Sequence, residues 1–358
     1  MSLESRIKSA QRLLKNFDTD AMLIENPIDL FYLTQENLSA GSLLITSSSA
    51  ELYVDGRYYE TCKSNCSLAV HLSNTDSLNK RIAELSLKKL SIDSTYTSVQ
   101  RYTELKQTNN CNICTIPGPI LEIRSIKDHD EIQALQKAAD LGSEGYRYLL
   151  TQIREGISER QLALKLEMFW LEQGADGLAF SPIIAFGKNS SKPHYHPSPE
   201  VTLEKGQNIL IDIGVQLNGY HSDMTRVVFF DQPDPYLEKI YHIVREAQEK
   251  ALSNCYEGVS VRELDSSARD FIADQGYGDR FTHGLGHGVG LEVHEYPSLR
   301  LAEENKHKKL KKNMVLTLEP GIYLPDLGGV RIEDTVVVGQ ESCTNLSSPS
   351  KELHIITY

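Results

Sequence analysis

Apolar positions in this chain follow two alternating periods. Leu3 to Asn16 has helical spacing, and Asp20 to Ile24 is a short apolar run with the character of a strand. Gly41 to Tyr53 reads as two strands around Ser47-Ser48-Ser49. Leu68–Leu72, Leu90–Ile92 and Cys111–Ile116 read as further strands, with helices over Leu78–Leu87 and Ser98–Gln107. This alternation predicts a small α/β domain over residues 1–120. Pro117-Gly118-Pro119 then interrupts both periods and marks a boundary. Residues 121–358 form the second predicted domain, beginning with a long helix over Ile126–Leu150 whose inner face carries Ile132, Leu135, Ala138 and Ala139.

The second domain contains an internal repeat. Glu155-Gly156-Ile157-Ser158, continuing to Phe169 and Gln173-Gly174, matches Glu257-Gly258-Val259-Ser260, continuing to Phe271 and Gln275-Gly276, at a constant offset of 102. Ser158 with Gln161 and Ser260 with Glu263 are capping boxes, each opening an amphipathic helix. Two such units predict α+β halves related by a pseudo-twofold, with a groove between them suited to a site.

Between the repeats, Asn208 to Arg226 reads as a strand, an Asn218-Gly219 turn and a returning strand. With a two-residue turn, facing residues sum to 437, so residue 214 faces 223 and Asp212 lies diagonally from Asp223 on one face. Two carboxylates on an apolar hairpin either sit at a wet edge or share a proton, a base or a metal ion. Two more acids interrupt apolar strands: Glu319 ends Met314–Leu318, and Glu333 lies within a predicted strand over Val330–Val338. Arg331, two residues earlier, would share its face and hold a carboxylate in place. His287 is flanked by Gly284, Gly286, Gly288 and Gly290, so its neighbours cannot cover it. That loop lacks the lysine and the Ser/Thr of a phosphate cradle. His283 and His294 are further imidazoles close by, and His194 lies in a polar loop at Lys188–Pro197.

Composition narrows the chemistry. The net charge of −12 argues against a nucleic-acid or anionic-membrane partner, and the basic run Lys306–Lys312 reads as a solvated loop. No apolar run reaches the roughly 18 residues of a membrane span, and the charged, amphipathic N-terminal segment is not expected to act as a secretory signal. The Cys111-Asn-Ile-Cys114 pair has no partner pair at zinc-finger spacing, so reduced cysteines and a cytoplasmic location are expected. Four carboxylates and one histidine need concentrated positive charge to coexist. Such a donor set favours Mn, Co, Fe or Zn over a sulfur-rich structural site, and five ligands suit two ions about 3.5–4 Å apart.

With these residues in hand, the chain resembles the pita-bread metallopeptidases, in the proline-specific branch of aminopeptidase P and prolidase. The matching pieces are Ile211-Asp212-Ile213-Gly214, Ser222-Asp223-Met224-Thr225-Arg226, His283 to Leu291, Val293-His294-Glu295, Leu318-Glu319-Pro320-Gly321 and Arg331-Ile332-Glu333-Asp334. Asp55-Gly56-Arg57-Tyr58 resembles part of the family's small N-terminal domain. The resemblance implies two divalent ions per subunit, manganese foremost. Asp212 would chelate one, Asp223 and Glu333 would bridge both, and His287 and Glu319 would complete the other. It implies attack by a bridging hydroxide on an Xaa-Pro carbonyl, with Glu319 guiding the proton towards the departing proline nitrogen. His294 would support the carbonyl, His194 would contact the proline side, and His283 would line the same pocket. A homodimer is implied as well. The leading expectation is an Xaa-Pro aminopeptidase; the alternative is an Xaa-Pro dipeptidase. A metal-free creatinase-like hydrolase and a non-catalytic peptide-binding module fit an intact ligand set less well.

Overall fold

In a computed structural model, which describes residues 2–73, 76–303 and 305–357, the chain folds as two units, Met1–Arg124 and Ser125–Tyr358. The first unit is built on a six-stranded mixed sheet. Its order runs Ala69–Leu72, Ala50–Val54, Ser42–Thr46, Ala21–Ile24, Lys89–Asp93, Asn112–Ile116. Ala21–Ile24 pairs antiparallel with Ser42–Thr46 and parallel with Lys89–Asp93. Leu23, Leu44 and Ile92 pack into a core with Leu78, Ile82 and Leu105 from the helices. Two helices within this unit, Pro27–Thr34 and Tyr59–Asn65, lie outside the sequence-based expectation. Signals for the first are nonetheless present: Asn26 accepts a hydrogen bond from the Ile28 amide, and proline occupies the first turn. The second has no side-chain cap.

In the second unit the repeat becomes two capped helices, Glu159–Glu172 and Val261–Asp274, whose ends are again 102 residues apart. Both capping boxes form, through Ser158 with Gln161 and Ser260 with Glu263. A longer helix precedes each, His129–Gln152 and Pro235–Ser253, and two sheets complete the halves. The first sheet runs His354–Ile356, Met224–Phe230, Asn208–Ile213, Ile183–Phe186; the second runs Glu295–Ser298, His287–Gly288, Val315–Leu318, Asp334–Val338, Cys343–Asn345. This is the α+β pseudo-twofold pita-bread architecture.

Strand alternation decides where the acids point. Ile209, Ile211 and Ile213 pack with Leu162, Leu166 and Trp170 beneath the first helix pair. Leu210, one residue out of phase, packs instead with Val244, Leu264 and Leu316. Asp212 shares the parity of Leu210, so the first sheet presents it on the face that carries the second half's core.

The one tryptophan gives this packing a reporter. Trp170 is buried, and its indole donates a hydrogen bond to the Leu141 carbonyl at 3.0 Å. A Cβ added at Gly145 would lie 2.2 Å from the indole nitrogen. Gly145→Ala is therefore expected to destabilise the unit by about 1–3 kcal/mol. Denaturant unfolding followed by tryptophan emission measures this; an unchanged midpoint would refute the close approach.

Candidate metal centre

The Asn218-Gly219 turn has both residues at positive φ, 52° and 80°, as a type I′ hairpin requires. Beside it Leu217 faces Tyr220, and further along Asp212 faces Thr225, both pairs summing to 437. The turn therefore sets one register for the whole hairpin, although its ladder is divided between two sheets. The division falls at Gly214, where a Cβ would meet the Ser222 carbonyl oxygen at 2.3 Å. Asp212 and Asp223 consequently lie staggered on one face, and both are buried.

The second half supplies the other acids. Glu319 directly follows Val315–Leu318. Glu333, however, does not lie inside a continuous strand. Gly328–Arg331 pairs with Gly321–Leu324, whereas Asp334–Val338 pairs with Val315–Leu318. Ile332 and Glu333 form the step between two sheets, so the expected shared face of Arg331 and Glu333 does not exist. The Arg331 guanidinium instead donates to Asp212 Oδ2 across the site. Glu333 accepts from the Thr225 hydroxyl at 2.6 Å, and its amide donates to the Thr225 carbonyl at 3.1 Å.

His287 lies at an irregularity in the second sheet. A Cβ at Gly286 would fall 2.1 Å from the Thr317 carbonyl oxygen, and one at Gly288 2.4 Å from that of Tyr296. Neither glycine has a positive φ. Close backbone approach, rather than a left-handed conformation, requires them. The imidazole Nδ1–H donates to the Gly288 carbonyl at 3.1 Å, which leaves Nε2 as a lone-pair donor. Nε2 stands 3.6 Å from Asp223 Oδ2 and 3.5 Å from Glu319 Oε1. Asp223, His287 and Glu333 each offer a ligand atom, all within 4.8 Å of one another.

Electrostatics explains why these groups need a cation. Burial first, then Glu333 and Asp212, holds the Asp223 carboxyl well above its usual range. Burial and Glu333 do the same to Glu319, and burial with Asp212 pushes Glu333 up to about 8. Burial and His294 push His287 down to about 3, so this imidazole is neutral. Asp212 Oδ1 and Asp223 Oδ1 are buried with no hydrogen-bond partner. Orphaned carboxylate oxygens beside a neutral imidazole nitrogen are a donor set for a divalent ion, and the residues present fit one.

Two residues in this network, Thr225 and Tyr323, lie outside the set of site residues expected from the sequence, although Thr225 falls within a matching motif. Tyr323 accepts from Arg331 Nη1 at 2.7 Å and pairs with His283 Nε2 at 2.8 Å. The His283 Nδ1–H donates to the Gly284 carbonyl at 2.8 Å, so both ring nitrogens of His283 are engaged within the protein. Thr225 accepts from Arg331 Nε at 3.1 Å while donating to Glu333. The ring of His294 meets that of His287 edge to face at 4.2 Å. His294 and His194 are both exposed; burial is the main cause that lowers the pKa of His283 and of His294, and His194 adds a smaller effect to both.

The description Metallopeptidase family M24 matches residues 133–340, and Creatinase/Prolidase N-terminal domain matches residues 6–126. The chain belongs to metallopeptidase family M24. Membership makes it a metal-dependent peptidase, in keeping with the Asp/His/Glu cluster. Within the family it is similar to a Xaa-Pro dipeptidase of Pyrococcus furiosus, with 34% identity over 353 residues covering 98% of this chain and 100% of that protein. Among solved structures it is similar to a Xaa-Pro dipeptidase from Bacillus anthracis, with TM-score 0.95, 32% identity, and 99% and 100% of the two chains covered. An X-Pro aminopeptidase from Thermotoga maritima has TM-score 0.88 and 32% identity over 96% of this chain and 100% of that one.

Two outcomes follow from the site. Thr225→Val keeps the side-chain shape but removes the hydroxyl, and is expected to weaken metal binding roughly 10–100-fold. Calorimetric titration of the variant measures that loss, and undiminished affinity would contradict it. The metal-free protein should also respond to pH. Carboxyls whose folded pKa is raised stabilise the fold below their unfolded pKa, and lose that contribution as pH rises through the folded value. The melting temperature without metal should therefore fall from about pH 5 towards about pH 8, the Glu333 value. Added Mn²⁺ should abolish the fall, and a flat metal-free profile would contradict the burial of like charge.

Proposed function

We propose that this chain is a metal-dependent Xaa-Pro dipeptidase. The observation that carries the reading is the buried carboxylate–histidine cluster on a chain that matches a Xaa-Pro dipeptidase from end to end. The sequence alone placed aminopeptidase action first. The order is reversed here because the relatives of Pyrococcus furiosus and Bacillus anthracis are both described as dipeptidases and cover 98% and 99% of this chain. The Thermotoga maritima structure supports Xaa-Pro aminopeptidase action as the second reading. Homodimer assembly and a cytoplasmic location belong to the same proposal, resting on the resemblance and on six cysteines, all free.

In this reading Asp212, Asp223, His287, Glu319 and Glu333 hold two divalent ions, manganese ahead of cobalt, zinc or iron. When bound, the ions supply a water that ionises near neutral pH and positive charge for the developing oxyanion. Glu319, less buried than the other three acids, accepts the proton of the attacking water and returns it to the proline nitrogen as the C–N bond breaks. His294 faces solvent beside His287, where its imidazole donates to the carbonyl oxygen. His194, on its exposed loop, takes the proline side of the substrate. Arg331 fixes Asp212, and Tyr323 links Arg331 to His283 on the wall of the same site.

A cleavage panel separates the readings. After metal stripping and restoration with Mn, Co or Zn, Ala-Pro is expected to be hydrolysed, and Ala-Pro-Ala and Ala-Ala-Ala to remain intact. Release of alanine from Ala-Pro-Ala would favour the aminopeptidase reading. No turnover of either proline peptide with any metal would refute both.

A further inference from the structure

Away from the metal centre, two cysteines from distant parts of the sequence lie against each other. Cys255 follows the helix Pro235–Ser253 and is fully buried. Cys343 opens the strand Cys343–Asn345 and is only half-buried, packed against the same core. Their thiols are close enough to perturb each other in opposite directions, Cys255 upward and Cys343 downward. One carbonyl, that of Leu252, accepts both the Cys255 amide at 3.2 Å and the Cys343 thiol at 3.5 Å. The backbone keeps the two segments adjacent: Tyr256 bridges to Gly339, and the Glu257 amide donates to the Gly339 carbonyl at 2.9 Å. The C-x-x-C pair at Cys111 and Cys114 differs. Cys114 lies in the extended strand Asn112–Ile116 and Cys111 just precedes it. Three residues of extended chain span roughly 10 Å, beyond the roughly 7 Å a disulfide can bridge.

We propose that Cys255 and Cys343 form a dithiol modification site that a hydroperoxide converts into a disulfide. Cys343 is the attacking group, because it is the more accessible and because the neighbouring Cys255 lowers its pKa. Its thiolate attacks one peroxide oxygen; the S–O bond forms, the O–O bond breaks, and the leaving oxygen is protonated to water or an alcohol. The Cys255 sulfur then attacks the Cys343 sulfenic sulfur, the S–O bond breaks, and the thiol proton departs with the hydroxide as water. Two thiols are oxidised and one peroxide is reduced. The bond would tie the end of Pro235–Ser253 to a strand paired with Asp334–Val338, the element that begins immediately after Glu333.

The test is peroxide treatment of the reduced full-length protein, alkylation of the remaining thiols and peptide mapping by mass spectrometry. A Cys255–Cys343 cross-link reversible by dithiothreitol is expected, with the other four of the six cysteines still alkylated. The melting temperature should rise by roughly 5–10 °C on oxidation and return on reduction. Cys343→Ser should show neither the cross-link nor the rise. Cys255→Ala should accumulate a dimedone-reactive sulfenic acid at Cys343, which a merely structural contact would not produce. Cross-linking through Cys111 and Cys114 instead, or overoxidation of wild-type Cys343 with Cys255 still reduced, would overturn the proposal.

Discussion

Burial of like charge is the constraint on which the second unit depends. Asp212, Asp223 and Glu333 are buried and Glu319 is largely covered, and Arg331 is the cation that meets one of them directly. Such a cluster is costly unless further positive charge enters it. The fold spends its symmetry on assembling the group. Each half of the repeat contributes two acids from the ends of neighbouring strands, and the histidine comes from a backbone segment too crowded for side chains on either flank.

The surroundings hold that arrangement rather than relax it. Arg226 is buried and donates to the Thr225 and Glu333 carbonyls and to the Asp334 carboxylate. Gln248 and Lys351 complete Asp334, and the Thr335 hydroxyl holds the Asp223 carbonyl. Asp334 is therefore a buried acid with ample cationic and donor partners, and Arg226 and Lys351 overcome its burial to keep its carboxyl below the usual range. Its neighbour Glu333 moves the other way. Adjacent carboxylates with opposite shifts fit a structural role for Asp334 and the proposed ligand role for Glu333.

Much of this was legible because local chemistry dictates it. The Asn218-Gly219 turn fixes register by arithmetic, so the stagger of Asp212 and Asp223 follows from sequence. The capping boxes at Ser158 and Ser260 locate two helix starts, and the repeat locates their ends. The step at Ile332-Glu333 was not legible, because Val330 to Val338 keeps an apolar strand pattern while its partner strand changes. The roles of Thr225 and Tyr323 were hidden for a related reason: both residue types are common in strands, and their hydrogen bonds run to residues 40 to 108 positions away or across a hairpin. Whether a longer peptide is accepted depends on how a groove is closed, which no motif encodes.

The number of metal ions bound per chain tests the account at its root. Isothermal titration of the stripped protein with Mn²⁺, checked by elemental analysis, should give two ions per chain, and Asp223→Asn should weaken both because the residue is proposed to serve both. A single ion per chain, or two ions bound with full affinity by Asp223→Asn, would contradict the shared carboxylate cluster.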